Sequence, residues 1–172
     1  MDERDLAQRA ARGDREAFGG LVKEHQAGVY NVAYRMLGET HEAEDATQET
    51  FLRAYRAISS LDSTRPAGPW LKKIAVNVCL NRLKHRGTLG LGDEIAVPAP
   101  DPGPEAQVLQ QEQNRQIRAA LMRLPPHYRA AIELRHFQEL SYAEMAETLH
   151  RPLSDIKSDL FRARKMLAEI LR

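Results

Sequence analysis

One cysteine, one tryptophan and an aromatic content of 6% leave this chain of 172 residues poor in the groups that most often carry chemistry. A lone Cys79 excludes an internal disulfide and gives no thiolate set for zinc. On the apolar side of its helix it is expected as a buried small hydrophobe. Six histidines (His25, His41, His85, His127, His136 and His150) are scattered, and none falls in a metal-binding spacing. A glycine-rich phosphate loop and a nucleophile motif are both missing. The reading is therefore not an enzyme, with no metal and no cofactor. No apolar run reaches the ~18–20 residues that span a bilayer. The opening MDERDLAQRAARGD reads as a charged helix and not a signal peptide. A cytoplasmic protein without membrane insertion is expected.

Charge of one sign is missing from one stretch only. Residues 1–86 hold 14 basic and 12 acidic side chains, and residues 113–172 hold 11 and 7, but residues 87–112 hold 5 acidic and none basic. Within that stretch GTLGLGDEIAVPAPDPGPE has four prolines and four glycines, too many for a packed element. It divides the chain into a helical domain over 1–86, an acidic flexible linker over 87–104 and a second helical domain over 105–172.

No segment alternates polar and apolar residues for long, so strands are not expected; a helical period dominates. A first helix is predicted from Glu3 to Arg12, ending at Gly13. Asp14 caps a second, striped by Phe18, Leu21, Val22, Val29, Val32 and Met36, and Gly38 closes it. Thr40 opens a third, lined by Ala43, Ala46, Phe51, Ala54 and Ile58. The stretch from Ser59 to Pro69, with Pro66, Gly68 and Pro69, is read as a loop. A fourth helix runs from Trp70 to about Arg86. Arg65, Lys72, Lys73, Arg82, Lys84 and Arg86 make the region basic, with no acid among them. Such a helix is either a nucleic-acid surface or a solvated face. After the linker come helices from Glu105 to Arg123 and from Tyr128 to Phe137, separated by Pro125-Pro126.

The last stretch is the most specific. Ser141 followed by Glu144 is a capping box that starts a short helix. His150, Arg151 and Pro152 interrupt it, and Ser154 is read as the cap of a second, in which Ile156, Leu160, Ala163 and Leu167 form one apolar stripe. The opposite face carries Ser154, Asp155, Ser158, Arg162 and Lys165, with Lys157 and Phe161 at its flank. This is a helix-turn-helix pattern, whose second helix enters a DNA major groove. An antiparallel helix pair in any all-α domain, with solvated charges, gives the same pattern. A two-domain regulator that binds DNA alone, or an adaptor bundle, also fits at this level.

Taken together, GDREAFGGLV, AEDATQETFLRAYRAI, RPAGPWLKKIAVNVCLNRLKHR and the C-terminal LPPHYRAAIELRHFQELSYAEMAETLHRPLSDIKSDLFRARKML resemble bacterial RNA polymerase sigma factors of the extracytoplasmic-function group. The likeness covers nearly the whole chain. It implies an all-α fold of two small helical bundles joined by a flexible linker, the second a helix-turn-helix. It also implies a protein that binds core RNA polymerase and directs promoter-specific initiation by recognising −10 and −35 elements and opening the strands. By that resemblance Asp45, Gln48, Glu49 and Leu52 grip the clamp helices of the largest polymerase subunit. Arg65, Lys72, Lys73, Asn77 and Asn81 contact the −10 strand, from which one base is flipped. Ser154, Asp155, Lys157, Ser158, Arg162 and Lys165 meet the −35 element. The linker threads the polymerase cleft, and an anti-sigma partner is implied. The chain departs from the family at three places. Ala67 and Gly68, followed by Pro69, stand where family members often have an aromatic and an arginine after the loop proline. His150 takes the turn position usually given to glycine. Asp159 stands where an arginine is usual, and is expected to repel phosphates.

Overall fold

The computed structural model describes residues 2–88 and 108–172; most of the predicted linker over 87–104 lies outside the described residues. Eight α-helices and no strand occur among them: α1 (Glu3–Ala11), α2 (Arg15–Leu37), α3 (Thr40–Arg56), α4 (Ala67–Thr88), α5 (Val108–Met122), α6 (Pro126–Ile132), α7 (Tyr142–Leu149) and α8 (Leu153–Ile170). A single 3-10 turn, Ile58–Ser60, follows α3. The predicted helix Tyr128–Phe137 is divided, because α6 widens into a π turn over Glu133–Phe137.

Helix boundaries follow local chemistry. The Asp14 carboxylate accepts from the N–H groups of Glu16 (3.0 Å) and Ala17 (3.2 Å), which starts α2. Gly38 ends it in the left-handed region at φ 74°. A Cβ there would also stand 2.5 Å from Met122 Sδ and push that flexible side chain aside, so the left-handed conformation is the main reason for glycine. At α3 the cap comes one residue before the predicted start: the Glu39 carboxylate accepts from His41 and Glu42 N–H.

The start of α4 corrects the sequence reading. Ala67, Gly68 and Pro69, expected in a loop, form its first turn. Proline is tolerated there because its missing N–H has no intrahelical partner to lose. Ala67 N–H is instead taken by Glu3 Oε1 of α1 at 3.1 Å, and His25 Nε2 of α2 lies 2.9 Å from the same oxygen. Gly68 sits under the His25 ring, where a Cβ would come within 3.2 Å. The cap of α4 is thus supplied by a helix 64 residues earlier.

The long α2 is the spine. It buries Leu21, Val29, Val32, Ala33, Met36 and Leu37 against α1, α3 and α4, and its C-terminal half also meets α5 and α6. One apolar core therefore runs from Val29 and Val76 through Leu121 and Leu134 to Ile156 and Leu160, across both predicted domains. A second cluster, Ala7, Ala10, Ala17, Leu21, Leu61 and Ala67, ties α1 to the loop before α4. Cys79 is fully buried, and burial pushes its thiol up to about 12, so it stays protonated at neutral pH.

Polar bonds cross between the two halves. Arg35 of α2 donates to both oxygens of Glu133 at 2.7 and 2.8 Å, and Glu133 is 2% exposed. The Arg35 guanidinium also covers the Phe137 ring at 4.3 Å. Arg129, 6% exposed, donates to the carbonyls of Leu121, Met122 and Leu124 near the end of α5 and to Met36 near the end of α2. Burial lowers its pKa to about 10, which leaves it charged at neutral pH. Asn77 of α4 donates to the Thr148 carbonyl of α7 at 3.0 Å.

Glu133 is the costly member of this seam, since a buried carboxylate without its partner is strongly unfavourable. Arg35→Ala is therefore expected to weaken docking of the two halves by about 3 kcal/mol, whereas Arg35→Leu combined with Glu133→Leu costs less. Interdomain distances from paired fluorophores, followed against denaturant, check both.

Candidate nucleic-acid interface

Three surfaces carry the predicted contact residues. On α3, Asp45, Gln48 and Leu52 stand on one exposed face, and Leu52 is 59% exposed although it is apolar. Glu49 lies at the edge of that face, bonded to Arg82 (3.2 Å) and Arg53 (3.4 Å). Tyr55 extends the same stripe and was not singled out from sequence, although its spacing from Asp45, Gln48 and Leu52 follows the helical period. Its ring meets Phe18 edge-on at 5.2 Å and its hydroxyl accepts from Arg15 at 3.2 Å, which fixes an exposed aromatic beside Leu52. Exposed apolar groups bordered by acids form a surface suited to another helix.

The second surface is the loop 61–66 with α4. Asp62 accepts from the Thr64 N–H (3.0 Å) and hydroxyl (2.5 Å), bonds that hold its carboxyl below the usual range. Its neighbour Arg65 is exposed and lies 3.4 Å from Asp62. An open cleft of about 200 Å³ separates this loop from the start of α1, lined by Glu3, Arg4, Ser63, Thr64, Arg65 and Pro66. Along α4, Lys73, Asn77 and Asn81 share one face at four-residue steps. Lys72 does not join them: its stem lies against Gly28 of α2, 3.3 Å from where a Cβ would sit. Arg82 and Arg86, counted in the basic run, are turned to Glu49 and Glu42 of α3.

The face of α4 is not open. Asn77 is bonded to Thr148, and Lys73 and Arg65 lie close enough to the α7 capping residue Glu144 to help lower its pKa, after the Ser141 N–H and hydroxyl that dominate. The Asn77 amide is thus partly covered by α7, with its Nδ2 engaged.

The third surface is α8. Ser141 and Glu144 form the predicted capping box with bonds of 3.0 and 3.1 Å. His150 adopts the left-handed conformation expected of a glycine at the turn, at φ 54°. Glu139, before α7, does the same at φ 58°. Ser154 is not the cap of α8; the helix begins at Leu153 with Pro152 before it, so Ser154 stands inside the first turn. Ile156, Asp159, Leu160 and Ala163 face the core. Ser154, Asp155, Ser158, Arg162 and Lys165 lie on the opposite side, and Phe161, 70% exposed, stands among them. Lys157 stands apart, 6.0 Å from the centre of the Tyr142 ring. Arg164 donates to His136 Nε2 at 3.1 Å; burial first, then Arg164 and Arg135, lowers the pKa of that imidazole and keeps it an acceptor.

Asp159 corrects an expectation. It does not face phosphates but is 8% exposed and paired with Arg151 of the turn. The turn itself carries strain, because a left-handed conformation costs a non-glycine residue about 1 kcal/mol. His150→Gly is expected to raise the melting temperature by about 2–4 °C, read by calorimetry, with no change in helix content.

A family model described as Sigma-70 region 2 matches residues 21–88, and one described as Sigma-70, region 4, matches residues 114–167. The chain is 36% identical over 172 residues to the extracytoplasmic-function RNA polymerase sigma factor SigW of Bacillus subtilis, covering 94% of this chain and 92% of that one. Among solved structures it is similar to CnrH in complex with the cytosolic domain of CnrY, with a TM-score of 0.66 and 25% identity, covering 98% of this chain and 96% of that one. The sigma factor RpoE in complex with the anti-sigma factor NepR, from Bartonella quintana, shares the fold, with a TM-score of 0.66 at 23% identity, over 90% of this chain and 96% of that one.

Proposed function

Since this chain belongs to the extracytoplasmic-function sigma factors of bacterial RNA polymerase, and so directs promoter-specific transcription initiation, we propose how its surfaces divide that work. The α3 face of Asp45, Gln48, Glu49 and Leu52, extended by Tyr55, docks on the clamp helices of the largest polymerase subunit. Acids flank an exposed leucine and tyrosine there, a combination that fits a helix-in-groove contact better than a solvated face. The loop 61–66 and α4 take the non-template strand of the −10 element. The cleft beside Arg65 receives an extruded base, and Lys73, Asn77 and Asn81 contact the strand. Lys72 meets phosphate from the neighbouring face. The α8 surface of Ser154, Asp155, Ser158, Arg162 and Lys165, with Lys157 at its edge, reads the −35 element in the major groove. The domains are 1–86 and 105–172, with residues 87–104 as the tether that gives each DNA reader a raised effective concentration for its element.

The observation that carries this reading is the Asn77–Thr148 bond. A side chain with the donors and acceptors to read a base edge is engaged by the helix-turn-helix, so −10 contact requires the halves to part. Docking of α3 on polymerase supplies the differential binding that shifts the chain to its open form. An anti-sigma factor, the kind of partner that RpoE has in its complex with NepR, opposes that shift by binding the closed form. The protein acts inside the cell and has no catalytic step of its own.

Run-off transcription with purified core polymerase on a supercoiled promoter library tests the assignment. Wild-type chain is expected to give discrete transcripts absent with core alone. Asp45→Arg reverses a charge at the docking face and is expected to abolish polymerase binding. Asn77→Ala keeps polymerase binding and lowers open-complex formation about five- to a hundred-fold, the range for losing one good base contact. Promoter-specific transcripts that survive both substitutions unchanged rule out these two surfaces.

A further inference from the structure

The turn of the helix-turn-helix holds an ion cluster of which the division of labour above uses only Asp155. Arg151, between α7 and α8, reaches Asp159 Oδ2 with one guanidinium nitrogen and lies 3.7 Å from Asp155 Oδ2 with another. The three residues differ in exposure. Asp159 is 8% exposed, the Arg151 side chain 27% and the Asp155 side chain 49%. A buried carboxylate thus anchors a half-buried guanidinium, which in turn stands within ion-pair reach of a carboxylate at the open start of α8.

An ion pair placed this deep adds little stability compared with apolar packing at the same position. Its yield is geometric: the planar fork bonds Asp159 with one nitrogen and presents another towards Asp155, an arrangement that an ammonium point charge does not set. The exposed end of the cluster is where this matters. The first turns of a recognition helix are the part that meets base edges. An acid there repels phosphates unless a cation offsets it, and it has one favourable base partner, the cytosine N4 amino group, to which it can only act as acceptor.

We infer that Arg151 is a positioning residue for −35 recognition, which through Asp159 holds the Asp155 carboxylate so that it selects a cytosine at one position of the element. This rests on α8 being the −35 reader. Arg151 itself meets no base in this scheme; it sets the direction of Asp155 and offsets its charge.

The test uses holoenzyme assembled from core polymerase and full-length chain, selecting from a promoter pool randomised across the −35 region. Wild type is expected to enrich cytosine at one position. Asp155→Ala is expected to lower that enrichment at least about five-fold and to leave the other positions within about two-fold. Arg151→Ala alone strands the buried Asp159 charge and risks unfolding the turn. The double variant Arg151→Ala/Asp159→Asn removes that charge and is expected to lose selectivity at the same position. Arg151→Lys keeps the charge without the fork and retains part of it. Base preferences unchanged in Asp155→Ala overturn the inference, as does a double variant that selects like wild type. A wild-type holoenzyme that selects no −35 sequence at all overturns the assignment of α8 as well, which separates that failure from the narrower one.

Discussion

The arrangement of the molecule depends on one buried cation. Arg129 stands where α2 and α5 both end, and its guanidinium satisfies carbonyls of Met36, Leu121, Met122 and Leu124 together. The last carbonyls of a helix have no intrahelical partner and carry the negative end of the helix dipole. Two such ends pack closely only if something cationic sits between them. Arginine suits this because its donors lie in a fixed plane and it keeps its charge when desolvated. Most of the Arg129 bonds stay within the C-terminal half, and only the one to Met36 crosses to the other. Arg129 thus shapes the α5–α6 corner permanently and offers that corner to α2.

An apolar core continuous across the halves is joined, among the described residues, by three polar links between side chain and partner: Arg129 to Met36, Arg35 to Glu133 and Asn77 to Thr148. A hydrogen bond exchanged with water is worth about 1 kcal/mol net, and more when a charge takes part. When the halves separate, Glu133 and Arg35 both return to water, so neither is left buried and alone. Opening such a seam also exposes the shared apolar core, so a partner that favours the open form must offset that burial as well as the polar bonds. Breaking it by mutation differs in kind from opening it, because mutation can leave one charge buried.

Much of the helix punctuation was legible in sequence, because caps are local. Asp14, Gly38 and the Ser141–Glu144 box act within three or four residues of where they stand, and their chemistry has few alternatives. The stripes that made α2 and α8 core-facing were equally plain. What escaped was non-local. Nothing near Pro69 announces that Glu3 will cap α4, so the Pro-Ala-Gly-Pro stretch reads as loop until α1 is in place. Asp159 was expected to face DNA because its family position carries a basic residue, but the helical period already places it one turn before Ala163 on the core side. Its partner Arg151 lies across the turn, and only the fold shows that the two meet. The Asn77–Thr148 bond joins residues 71 positions apart and had no sequence signal. The period alone put the named residues of α3 and of α8 on shared faces, while the roles given to them came from the family resemblance, and the covering of α4 had no signal in either.

The pairing of charges bears on how the chain finds DNA. Nearly equal numbers of basic and acidic residues do not by themselves prevent a basic face. Here, however, Arg82 and Arg86 are turned to α3, Arg35 to Glu133, and Arg151 to Asp155 and Asp159. Non-specific affinity for DNA grows with the number of phosphates that cations neutralise, and each cation committed to an acid contributes less to it. On α4 and α8, Lys72, Lys73, Lys157, Arg162 and Lys165 stand outside those ion pairs, a small number of phosphate contacts for each reader. Joined to each other in one chain and carried by polymerase, each meets its element at a raised effective concentration. Weak individual readers then become an advantage, because promoter choice depends on both elements lying at the spacing the enzyme sets, and neither element alone captures the protein.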